Sequence, residues 1–180
     1  SLIVPTLNNS RPAISFLNHF LIKRGQAKVS CKLTAISDVG NVLESKTLMV
    51  DEPRVYSVYF DEIFPELPAK EYLVEFFSGE NLFIPFPAVM VNHIGKDFCN
   101  TVHSFNRVLN DIFEDDSVNK TSVRESSIDV LIDGQYDSFV NFATGPFKLK
   151  DQITFTYAAD DQHLEKSLPI ELPRLANRTY

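Results

Sequence analysis

Residues 28–35 constrain this chain more than any other stretch. Val29, Cys31, Leu33 and Ala35 alternate with Lys28, Ser30, Lys32 and Thr34, apolar against polar. A period of two is that of a β-strand with one face in a core and the other in solvent. Asp38-Val39-Gly40-Asn41 then supplies a turn, with Gly40 free to take positive φ, and Val42 to Val50 returns as the partner strand. A hairpin with one apolar face must be covered by another layer, so the rest of the chain has to supply that layer.

Much of the remainder carries the same signal. Residues 55–60 read as a short strand, and in residues 71–77 Glu71, Leu73, Glu75 and Phe77 alternate with Tyr72, Val74 and Phe76. Residues 82–91 run apolar through Pro85 and Pro87, which demands an edge or bulged strand. Ile14 to Ile22 is apolar, broken by Asn18 and His19, and reads as a strand ending in a turn at Lys23-Arg24-Gly25. Residues 1–12, with Pro5 and Pro12, read as irregular. Ile128, Val130 and Ile132 form another alternating run, with Asp129 and Asp133 on its other face. Ile153, Phe155 and Tyr157, buried on one face, open a second hairpin over residues 152–172. Fifteen Phe and six Tyr suit pleated surfaces, where flat rings pack well.

One segment has the helical period instead. Phe105, Val108, Leu109, Ile112 and Phe113 fall at steps of three and four, which predicts a helix from about His103 to Glu114, capped by Ser104 or Thr101. The expected fold is therefore all-β with one short helix: a single antiparallel β-sandwich domain over residues 1–180, with a helix-containing insertion at about 92–125. Two pseudo-repeated β units are also expected. At an offset of 122 residues, Cys31, Leu33, Thr34, Asp38, Val42 and Ser45 fall on Ile153, Phe155, Thr156, Asp160, Leu164 and Ser167.

Charge and motif content narrow the function classes. The formal net charge is −7 and no Lys/Arg cluster reverses it locally, which argues against nucleic acid as a partner. No stretch approaches the 18 or so apolar residues of a membrane-spanning helix. Cys31 and Cys99, the only cysteines, fit neither a disulfide framework nor a zinc pattern, and both are expected free. Phosphate-loop and dinucleotide fingerprints are absent from a chain with six glycines, so no cofactor is expected. His93 and His103, with Asp97 or Glu125, lack the pairing that catalytic metal sites use, and no metal is expected either. The compartment stays open.

The candidate ligand site is the polar run from Asn92 onward. His93, Asn100, His103, Asn106, Arg107, Asn110 and Glu125 supply amide, imidazole, guanidinium and carboxylate groups beside an apolar stretch. On a helix, His103, Asn106, Arg107 and Asn110 would share one face. The favoured function is a non-catalytic binding or interaction module recognising protein or carbohydrate, although the absence of Trp weakens the carbohydrate version. One alternative is an enzyme with its site in residues 92–129, metal-assisted. Another is a structural subunit that assembles into homo-oligomers through its edges.

Overall fold

The computed structural model describes residues 2–79, 88–103, 139–144, 148–159, 162–173 and 176–180. Residues 104–114 of the expected helix, residues 82–87 of the strand expected at 82–91, the strand at 128–132 and four candidate ligand residues (Asn106, Arg107, Asn110 and Glu125) lie outside them.

The fold is an antiparallel β-sandwich. Its first half contains β1 (Leu2–Pro5), β2 (Ser10–Leu17), α1 (His19–Arg24), β3 (Val29–Ile36) and β4 (Val42–Val50). Its second contains β5 (Val55–Tyr59), α2 (Phe60–Ile63), β6 (Glu71–Ser78), β7 (Met90–Gly95) and β8 (Cys99–His103). Two four-stranded sheets result, sheet A in the order β1-β6-β3-β4 and sheet B in the order β5-β2-β7-β8.

The β3–β4 hairpin forms as its pattern requires, with Val29 opposite Val50, Cys31 opposite Leu48 and Gly40 at φ +80° in the turn. Val29, Cys31, Leu33 and Ala35 are all buried. They meet Ile14 and Phe16 of β2, Tyr56 and Val58 of β5 and Val91 of β7 in one core. Rings tie the layers together: Phe16 stacks on Tyr56 within sheet B and meets Phe76 of sheet A edge-on at 5.1 Å.

Two expectations are corrected. Residues 2–5 form β1, paired to β6 from Leu2↔Val74 to Pro5↔Glu71, because the apolar Leu2 and Val4 fill the inward row of sheet A. The apolar run 14–22 is not one strand: β2 ends at Leu17 and α1 begins after Asn18. The Asn18 side chain accepts from Leu21 N at the helix start, and its amide donates to the carbonyls of Val50 and Glu52. Gly25, at φ +67°, closes the helix in the left-handed conformation. Residues 92–103, the start of the segment expected as an insertion, lie in β7 and β8, paired from Met90↔His103 to Ile94↔Cys99 in sheet B; its remainder, 104–125, lies outside the described residues.

The sandwich has an internal two-fold in its topology. Advancing every strand number by four, and counting on from β8 to β1, turns the order of sheet A into that of sheet B. Registers agree with it. The buried row Leu2–Val74–Leu33 crosses β1, β6 and β3, and its counterpart Val58–Ile14–Val91 crosses β5, β2 and β7. This relation differs from the expected 122-residue repeat.

The C-terminal strands are β9 (Asn141–Ala143), β10 (Leu149–Ala159), β11 (Gln162–Leu172) and β12 (Asn177–Thr179). The expected second hairpin is present as the β10–β11 ribbon. Its register departs from the sequence alignment that suggested the repeat. Thr34 faces Ser45 in the first hairpin, but Thr156 faces Glu165 and Ser167 faces Thr154 in the second. Ile153 and Phe155 are half-buried rather than buried; Phe155 lies beside Phe142 and Tyr180. The side chain of Tyr157 is outside the described set.

Candidate functional site

Strand alternation decides what β7 and β8 present. Val91 and His93 face the core, while Met90, Asn92 and Ile94 face outward. His93 is buried and one ring nitrogen lies 2.8 Å from the carbonyl oxygen of Pro5. That carbonyl can only accept, so His93 Nε2 carries the proton and bonds β7 of sheet B to the end of β1 in sheet A. His93 is thus a strut between the layers.

Asn100 and His103 are both exposed on β8, three residues apart on a strand, and so project to opposite faces. Asn100 is paired with His93 in the inward row, and His103 with Met90 in the outward row. The three described candidates therefore do not converge on one concavity. Among the described residues no group of three His, Cys, Asp or Glu side chains is placed to hold a metal ion.

The outer face of sheet B instead gathers polar side chains from three strands. Asn92 donates from Nδ2 to Ser15 Oγ at 3.2 Å and accepts at Oδ1 from Thr101 Oγ1 at 2.9 Å. His103 stands in the neighbouring outward row, which also contains Ser57, Ser15 and Met90. Tyr59, on this face, is covered: the Arg11 guanidinium sits 4.1 Å from its centroid and is held there by Asp61 and Glu62, each at 2.5 Å. Ser15 and Thr101 escaped the reading of the sequence because only the register of three strands brings them to Asn92.

The four outer strands of sheets A and B differ in how they meet solvent. β1 is four residues long and ends in Pro5. β5 is flanked by Pro53 and by the Arg54–Glu52 ion pair. On β4, Glu44 and Lys46 occupy the inward row opposite Ala35 and Leu33. Lys46 Nζ reaches across to the Ile63 carbonyl at 2.5 Å and lies 5.4 Å from the Phe64 ring. Inward charges, prolines and short length are the usual devices that keep an edge strand from pairing with another chain.

β8 has none of these. Its five residues, Cys-Asn-Thr-Val-His, are all exposed and carry no Lys, Arg, Asp, Glu or Pro. The topological two-fold makes the contrast sharper. Lys46 lies opposite Leu33 and Val102 lies opposite Val91, so Val102 stands on β8 where Lys46 stands on β4. Val102 is 56% exposed.

Comparisons with protein-family models, curated proteins and solved structures returned no match.

Proposed function

We propose that the protein is a non-catalytic recognition module that takes an extended segment of a protein partner onto β8. The observation that carries this reading is the β8 edge, which pairs with no further strand among the described residues and has Val102 at the position where the equivalent edge strand β4 holds Lys46. A peptide added there would continue sheet B through main-chain hydrogen bonds, which supply affinity without specificity. Alternate side chains of that peptide would meet two surfaces. One contains Asn100 and Val102; the other is the polar row of Asn92, Thr101 and His103.

Carbohydrate recognition is less well supported. Sugar platforms rely on open aromatic faces. Tyr59, on this sheet face, is already occupied by Arg11. The imidazoles of His19 and His93 lie against the backbone carbonyls of Leu17 and Pro5, which disfavours these two as catalytic bases.

A random peptide library displayed on phage and panned against the full chain tests the reading. Enriched peptides should bind the wild-type protein and lose at least about tenfold in affinity on Val102→Lys, with the melting temperature unchanged. Peptides that bind Val102→Lys as well as wild type, or a library with no enrichment, would refute it. If β8 pairs with a second copy of itself, sizing chromatography will show a dimer that Val102→Lys dissolves.

A further inference from the structure

Glu71 opens β6 on the outward side of sheet A, in line with Leu73 and opposite Ile36 of β3 and Pro5 of β1. An outward carboxylate would ordinarily be solvated. Glu71 is instead buried, and so are Thr34, Ile36 and Leu73 on the same face. That side of sheet A is therefore covered.

β12 reaches it. Asn177 Nδ2 donates to Glu71 Oε2. The amide is oriented from behind, because Asn177 Oδ1 accepts from Asn141 Nδ2 of β9 at 3.2 Å. The donor chain Asn141–Asn177 thus ends on the Glu71 carboxyl. Further bonds keep β12 on β9: Tyr180 N donates to Val140 O at 2.9 Å, Val140 N donates to Tyr180 O at 3.0 Å, and Ala176 N donates to Thr144 Oγ1 at 3.0 Å.

We propose that Glu71 and Asn177 form a proton-operated latch, closed at acidic pH and loosened at alkaline pH, which holds β12 and its partner β9 on sheet A. Among the described residues, those flanking Glu71 are Pro5, Ile36, Leu73 and Asn177, none of them charged. Lys70 and Arg178, the adjacent charged residues in sequence, are both exposed. Burial pushes the Glu71 carboxyl from 4.5 up to about 7. Once released from the covering strand, a solvated Glu71 would return toward its ordinary range.

The sign follows by linkage. The latched form binds the extra proton between about pH 4.5 and about pH 7, so latching is favoured below that window and weakens as pH rises through it. If the whole shift were lost on release, the ratio of latched to released forms would change by a factor of about 300 across the window.

Hydrogen exchange of the full chain at about pH 5.5 and about pH 8.5, corrected for intrinsic rates, reads this directly. In wild type, the amides of Asn177–Thr179 and Asn141–Ala143 should lose at least about tenfold in protection at the higher pH relative to Ile14 and Phe16. Glu71→Gln keeps an acceptor for Asn177 but cannot ionise, and should show equal protection at both values. Wild-type protection that does not change, or a loss equally present in Glu71→Gln, overturns the proposal. So does a carboxyl-carbon NMR titration of the folded wild type that places Glu71 near its ordinary value, whether or not the variant folds.

Discussion

Cys31 and Cys99 show how strand position sets the behaviour of one residue type. Cys31 lies in the inward row of β3, fully buried, and loss of solvation pushes its thiol up to about 12. Cys99 opens the edge strand β8 and is exposed. A disulfide-exchange reagent at about pH 8 should therefore titrate one thiol quickly in the native protein and the second only after unfolding in denaturant. Two fast thiols would place Cys31 at the surface, and none would mean the pair had been oxidised. The inward place of Cys31 was legible in the sequence, since its neighbours alternate with it. That of His93 was not: it sits in a run of polar residues, and only the carbonyl of Pro5, 88 residues away, accounts for its burial.

Among the elements, α1 is the one the sequence concealed in plain view. Asn18 before the first turn, Lys23 and Arg24 in the last turn and Gly25 after it are standard start and stop signals. The apolar run from Ile14 to Ile22 hid them, because a continuous apolar stretch does not distinguish strand from helix. Tertiary bonds then settle the boundary. Asn18 is wholly buried, caps α1, and donates two hydrogen bonds that fix the passage from β4 to β5. Asn18→Ala removes the cap and strands the buried carbonyl of Val50 and the part-buried one of Glu52, and should cost about 2–4 kcal/mol in chemical denaturation. A loss below about 0.5 kcal/mol would show that water replaces the side chain there. The strands were read more easily than the helix, yet β1 was missed because four residues beside a proline carry too short a pattern.

At the scale of the whole molecule, the two-layer architecture was legible and its pairing order was not. Period-two patterning fixes which face of a strand is buried but leaves open which strand lies beside it. For the same reason the candidate site changed character once the strands were ordered. Asn92 stands out in a polar run of the sequence, whereas Ser15, Thr101 and the place of β8 at the end of sheet B emerge only from adjacency. The contrast between the two edges can be tested from the guarded side: Lys46→Val should make the chain self-associate with concentration in sizing chromatography, while its Arg11–Asp61 and Arg11–Glu62 contacts stay intact. A variant that stays monomeric at every concentration would show that Lys46 is not what protects β4. The topological two-fold has a consequence for the nascent chain. Each half lends its second strand to the sheet that the other half builds, β2 to sheet B and β6 to sheet A. Neither half can close a core alone. During synthesis the first half cannot complete the sandwich until β7 has left the ribosome, so Ile14 and Phe16 lack their full set of strand partners through that interval.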